Sequence, residues 1–167
     1  MLYLLDANVL ITANNTYYAI DQVPEFWEWI AHQGASGLIK MPLEIVEEVK
    51  AGSSKEKDSL IEWIQNEGNH DALLLKEDVD PTLVQHVVNN GYANDLTDDE
   101  IDQLGRDPFL VAYALSGNGR CVVTTEVSKP SKIRQNRKVP DVCTSLGVRW
   151  CNTFELTRAL GFRTSWK

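Results

Sequence analysis

Cysteine is scarce in this chain: Cys121, Cys143 and Cys151 are the three in 167 residues. An odd number at spacings that match no zinc ligand set argues against a disulfide scaffold and against a structural zinc site. Histidine is as sparse, with His32, His70 and His86. No stretch approaches the ~20 apolar residues that cross a bilayer. Asp6 interrupts the apolar start of the chain before a signal-peptide core forms. Reduced thiols without secretory or membrane signals are the pattern of a soluble, cytoplasmic protein with no membrane partner. Glycine and proline are modest, at 10 and 6 residues, which excludes a collagen-like or low-complexity chain. An excess of positive charge is also missing: 24 Asp+Glu stand against 16 Lys+Arg, for a net charge of −8. That excludes a uniformly basic nucleic-acid-coating protein. It leaves room for clustered carboxylates neutralised by a cation, and for nucleic acid if the basic residues gather locally.

What is present is globular. Hydrophobic residues make up 43% and charged residues 24%, and the length suits one domain spanning the whole chain, residues 1–167. Leu2-Tyr3-Leu4-Leu5 is a short, fully apolar run, as expected of a strand buried on both faces. Gly37–Met41, Cys121–Thr124 and Val148–Cys151 read as further short strands. Between them lie helical patterns: Pro24–His32, a helix opened by Pro42 and running to about Val49, one beginning near Lys55, one opened by Asp80-Pro81 and ended by Gly91, and one opened by Asp107-Pro108. Thr97 with Glu100 three residues on reads as a capping box. Leu73-Leu74-Leu75 is apolar but of no clear type. A C-terminal helix covers Thr153 to Leu160. Strands alternating with helices predict an α/β fold: three layers, α/β/α, around a mostly parallel sheet of about four or five short strands. A helical insertion occupies roughly residues 55–105, too long for a simple crossover.

In open α/β sheets, ligands bind beyond the carboxyl ends of the strands. Acidic residues recur there. Asp6 ends the first strand, Glu126 follows the third, Asp107 heads the helix before that third strand, and Glu44, Glu47 and Glu48 lie on the helix after the second. Each has an ordinary alternative: Asp107 as an N-cap, Asp6 as a turn residue, the glutamates as a solvated face.

Four segments resemble, in order, the motifs of PIN-domain ribonucleases. Leu4-Leu5-Asp6-Ala7-Asn8 resembles the family's opening strand, and Glu48-Val49-Lys50-Ala51-Gly52 its second-helix motif. Asp107-Pro108-Phe109-Leu110-Val111-Ala112 resembles the Asp that heads an apolar helix, and Val123-Thr124-Thr125-Glu126 the strand ending in Thr and then an acid. Val139-Pro140-Asp141-Val142-Cys143 is similar to a string found in a larger bacterial branch often associated with toxin–antitoxin genes. Two departures stand out: Glu126 replaces the family's usual Asp, and the middle region is longer than in the smallest members.

The resemblance implies a PIN-like fold and a metal-dependent endoribonuclease, the toxin of a toxin–antitoxin pair. Asp6, Glu48, Asp107 and Glu126 would be the catalytic, metal-holding carboxylates, with Glu44 and Glu47 near enough that helix register decides. Asn8, Thr124 and Thr125 would orient them, and Asp141 is either a reserve at the rim or an N-cap. Phosphodiester hydrolysis needs an activated water and stabilisation of charge on phosphate oxygens, and Mg²⁺ or Mn²⁺ on oxygen ligands supplies both. The histidines lie outside every motif, against a histidine-based mechanism. The resemblance further implies an RNA substrate, a protein antitoxin and a homodimer.

The segment Lys129 to Lys138 carries five cations (Lys129, Lys132, Arg134, Arg137 and Lys138) and no acid. It reads as a phosphate-gripping RNA-binding loop or as a solvated one. Tyr17 and Tyr18 are candidates for base stacking or packing, and Trp27, Trp29 and Trp63 for the core or a dimer interface. The alternative function is a catalytically inactive PIN-like module that binds RNA or protein. A haloacid-dehalogenase phosphatase would want Asp where Asn8 stands. A Rossmann nucleotide binder would want a glycine-rich first turn, which Asp6-Ala7-Asn8-Val9 does not offer.

Overall fold

The computed structural model describes residues 1–52 and 58–167. The helix start expected near Lys55 lies outside the described residues. Four strands, β1 (Leu2–Leu5), β2 (Ile39–Lys40), β3 (Arg120–Val123) and β4 (Arg149–Cys151), form one sheet in the order β2-β1-β3-β4, every pairing parallel. In β1, Leu4 and Leu5 point to opposite faces and both are fully buried, as are Val122 and Val123 in β3. Burial on both faces requires helices on both, which gives the α/β/α layering read from the sequence.

Ten α-helices lie among the described residues. α1 (Ala7–Thr12) follows β1 and runs into a π-turn at Ala13–Tyr17. α2 (Pro24–Ala35) has proline in its first turn and buries Phe26, Trp27, Trp29 and Ile30. The Trp27 indole N–H donates to the Tyr18 carbonyl at 2.6 Å, and Tyr18 stacks on Phe26 with ring centroids 4.3 Å apart. Trp27 and Trp29 are therefore core residues with no face left for a dimer, Trp63 packs edge-on to Trp27, and Tyr18 is a packing residue.

After β2 come α3 (Leu43–Ala51), α4 (Ser59–Gln65) and α5 (Glu67–Leu73). The Leu73–Leu75 run resolves into the end of α5 and a bridge to the sheet edge. Met41 N–H donates to the Leu73 carbonyl at 2.8 Å and Leu75 N–H to the Met41 carbonyl at 2.9 Å, which covers the exposed side of β2. α6 (Pro81–Val87) does not stop at Gly91 as expected. It continues as a π-turn through Val88–Tyr92. Glycine at 91 serves close packing instead: a Cβ there would meet Val142 Cγ1 at 2.7 Å.

α7 (Asp98–Leu104) carries the capping box: the Glu100 N–H donates to the Thr97 hydroxyl and the Thr97 N–H to the Glu100 carboxylate, both at 3.2 Å. Thr97→Ala is expected to cost about 1 kcal/mol in urea unfolding, with Thr97→Ser recovering most of it. α8 (Asp107–Leu115) is apolar and buried over most of its surface, and α6 packs against it. α9 (Val139–Ser145) and α10 (Thr153–Ala159) flank β4.

Candidate functional site

Parallel pairing aligns the carboxyl ends of β1 and β3. The register Leu5↔Val123 sets Asp6 beside Thr124, and the Asp6 N–H donates to the Val123 carbonyl at 2.9 Å. The Asp6 carboxylate is buried. Its Oδ2 accepts from Asn8 Nδ2 at 2.7 Å and from the Thr124 hydroxyl at 2.9 Å. Asn8 is fixed in turn, its Oδ1 accepting the Thr125 N–H at 3.0 Å. Asn8, Thr124 and Thr125 therefore orient the Asp6 carboxylate. Glu126 leaves the same strand end: its N–H donates to the Thr124 hydroxyl, and its Oε2 accepts the Val139 N–H at 2.7 Å.

Asp107 enters from α8. Arg106 is the N-cap of that helix, and Asp107, at its first position, makes no capping hydrogen bond. The ordinary explanation for Asp107 is thereby removed. Its carboxylate accepts no hydrogen bond among the described residues. On α3, packing of Ile45, Val46 and Val49 against the core turns Glu47 out to solvent and Glu48 toward the other acids. Glu44 instead accepts from the Tyr113 hydroxyl at 3.4 Å. Glu48 Oε2 is buried with no hydrogen-bond partner.

Electrostatics joins the four carboxylates. Burial pushes the Asp107 carboxyl up to about 8, and the negative charges of Asp6, Glu126 and Glu48 push it the same way, with Lys138 opposing. Burial raises Asp6 to about 6 against the Thr124 hydrogen bond, with Glu48 and Glu126 adding to the rise. Glu48 is raised by burial and eased by Arg106. The Tyr92 hydroxyl, from the π-turn after α6, is buried without a partner; burial, Asp107 and Glu126 all raise its pKa.

Among the described residues, no three Asp, Glu, His or Cys side chains converge into a ready-made ion cage. The donor chemistry nevertheless fits a hard divalent cation: all four are carboxylates, one has a buried oxygen with no partner, and another accepts no hydrogen bond.

The family model named "Domain of unknown function (DUF4411)" matches residues 3–164. The chain belongs to the DUF4411 family. No curated protein and no solved structure matches it.

The basic loop of this DUF4411 protein is fastened down. Arg134 sits in the left-handed region at φ 54°, and its guanidinium bonds Glu100 at 2.9 and 3.0 Å and Asp95 at 2.8 Å. Those bonds hold the Glu100 carboxyl down at about 2. Arg137 bonds the Gly91 carbonyl and the Ser145 hydroxyl. Both arginines, expected to grip phosphate, are anchors within the protein, because acids and carbonyls far off in sequence reach them first. Asp141 is another anchor. It lies inside α9, whose N-cap is Lys138, and accepts from the Ser128 hydroxyl at 2.5 Å and the Lys129 N–H at 2.8 Å. It is neither an N-cap nor a group reaching into the cleft. Among the described residues, the ammonium groups of Lys129, Lys132 and Lys138 make no ion pair, and Lys138 is the cation acting on Asp107.

Sequence reading missed Tyr92 and Arg106 at the cleft. It named Tyr17 and Tyr18 as base-stacking candidates but not Trp150 and Phe154, which line with them a cavity of about 440 Å³ beside Glu126. Tyr92 gives no local signal, since a π-turn inside an otherwise helical pattern carries it to the site. The cavity was open to inference: Asn152–Phe154 follow β4 at the same sheet edge as Asp6.

Proposed function

We propose that this DUF4411 protein is a PIN-like, Mg²⁺- or Mn²⁺-dependent endoribonuclease. One observation carries the reading: Asp6, Glu48, Asp107 and Glu126 come from four separate segments and act on one another electrostatically near the carboxyl edge of the sheet, and burial holds each of the first three above its ordinary pKa. Folding that buries acids near one another, with only Lys138 and Arg106 opposing their charge, is costly. Their function at a sheet edge is the simplest return.

Asp6, Glu48, Asp107 and Glu126 would hold the cation. When bound, a divalent cation lowers the pKa of water and stabilises charge on phosphate oxygens. The chain's own contribution is orientation and charge. Asn8 and Thr124 fix the Asp6 oxygen, and the Val139 N–H fixes one oxygen of Glu126. Lys138 opposes part of the negative field, and Lys129 and Lys132 would meet the RNA backbone. In a toxin role, its partner would be a protein antitoxin that blocks or distorts the acidic cleft.

The test is cleavage of a fluorescent single-stranded RNA with Mn²⁺ or Mg²⁺, against the same reaction in excess chelator. Cation-dependent cleavage is expected; its absence with both ions at millimolar concentration would reject the reading. Lys129→Ala with Lys132→Ala should weaken RNA binding about equally for all sequences. The slope of log affinity against log salt should fall by roughly 0.7 per lost contact. An unchanged slope, from fluorescence anisotropy at several salt concentrations, would remove those lysines from the RNA interface.

A second reading, a PIN-like module that binds RNA or protein without turnover, has one observation in its favour: the lack of three converging ligands among the described residues. RNA binding without cation-dependent cleavage would select it.

A further inference from the structure

We infer that the cavity beside Glu126 is a pocket for one unstacked nucleobase of the RNA, next to the point of cleavage. The inference rests on the endoribonuclease reading and names a part of the substrate that the carboxylates do not touch. The cavity encloses about 440 Å³, within the range of small-molecule sites. Glu126 lines it and belongs also to the carboxylate group, and Thr125, another lining residue, holds Asn8 and through it Asp6. Cavity and cleft are therefore continuous along two residues of backbone.

Its walls suit a flat, neutral group. Tyr17 and Phe154 meet edge to face, with centroids 5.2 Å apart and planes at 72°, and both stay exposed, by 61% and 41%. Val127 beside them is 71% exposed. An apolar mouth of this kind gains by being covered, and aromatic faces are the common platform for unpaired bases. Among the described residues, no lysine or arginine lines the cavity, and Glu126 edges it, so a phosphate is disfavoured there. The lysines that would take phosphate lie on the loop that follows. Thr153, at the start of α10, lines the cavity, and its own hydroxyl is buried from solvent. The exposed ring faces of Tyr17 and Phe154 are therefore what the cavity offers an occupant, and a planar base covers them by stacking.

The experiment is a metal-free NMR titration of the ¹⁵N-labelled protein with AMP, GMP, CMP and UMP, and with ribose 5-phosphate as the probe without a base. At least one mononucleotide is expected to give saturable shifts at the Trp150 indole and the Thr153 and Phe154 amides, with ribose 5-phosphate giving none there. Phe154→Ala, at an exposed position, should weaken that binding about 5- to 100-fold. In parallel, wild type and Phe154→Ala are compared on a randomised single-stranded RNA with Mn²⁺, where the variant should show a flattened base preference at one position near the cut. No shifts with any mononucleotide, shifts shared with ribose 5-phosphate, or unchanged binding by Phe154→Ala would overturn the pocket. If wild type still cleaved RNA, the nuclease reading would survive that failure, leaving the apolar mouth to a protein side chain. Base binding without cleavage would support the pocket and remove the hydrolytic reading.

Discussion

Asp107→Asn is expected to abolish the response to divalent cations and to reduce RNA cleavage by at least about 100-fold. The size follows from losing a ligand outright, since even groups one step behind a metal's ligands are worth about 10- to 100-fold. Asp107 is the sharpest probe because no structural hydrogen bond depends on it: it does not cap α8, and it accepts no hydrogen bond among the described residues. Asparagine keeps the size and the helix. Asp6→Asn is a poorer probe, since Asp6 Oδ2 accepts from both Asn8 and Thr124, and a misplaced amide would set donor against donor. In a thermal titration with Mn²⁺, wild type should rise and saturate, gaining about 2.7 kcal/mol at 100 times the dissociation constant. The variant should stay flat. Each cation bound near neutral pH should also release protons into weak buffer, because Asp107, at about 8, still holds one there. A variant that cleaves like wild type, or a wild type indifferent to both ions, would end the metal-dependent reading.

Much of this site was legible because the relevant rules are local. A four-residue apolar strand must be buried on both faces, so the residue after it, Asp6, lands at the carboxyl edge. Asp-Pro before an apolar run announces a helix start, and α8 begins at Asp107. What could not be read depends on long-range geometry. Whether Glu44, Glu47 or Glu48 faces the cleft is a matter of how α3 rolls on its apolar residues. Glu48 is separated from Glu47 by one step of about 100° around the helix, which sends the one inward and the other to solvent. The five cations of the loop look alike in sequence. Two are engaged within the protein by partners 34 and 46 residues away, Glu100 for Arg134 and Gly91 for Arg137. Asp141 is separated by the same logic: the Ser128 hydroxyl and Lys129 N–H reach its carboxylate and turn it into a brace. Tryptophans on a helical stripe do not declare whether core or partner covers them; here Phe26, Tyr18 and Trp63 do.

The same charges predict an inverted pH profile for the cation-free protein: stability should fall as pH rises from about 4 to 8. Asp107 goes from 3.8 when exposed to about 8 when folded. Between these values the folded protein holds the proton more tightly than the unfolded chain, so the unfolded state binds fewer protons and stability decreases with pH. Below the lower value both states are protonated and the penalty vanishes; above about 8 it is complete. At 1.36 kcal/mol per pKa unit, the penalty at pH 7 is on the order of 4 kcal/mol as an upper figure. Asp6, raised to about 6, bends the profile the same way at lower pH. Asp107→Asn carries no proton to lose. It should match wild type near pH 4 and exceed it at pH 7.5 by about 2–4 kcal/mol, or roughly 5–15 °C in Tm for a chain of this size. Saturating Mn²⁺ should close or reverse that gap by stabilising wild type alone. Melts of both proteins from pH 4 to 8, with chelator and with Mn²⁺, decide the matter. A wild type that gains stability steadily with pH in chelator, or a variant that never exceeds it, would show that the carboxylates are not held together as unneutralised acids. A protein that gave up stability at neutral pH to keep these acids close, and regained it on binding a cation, would show the trade expected where binding rather than folding shaped the site.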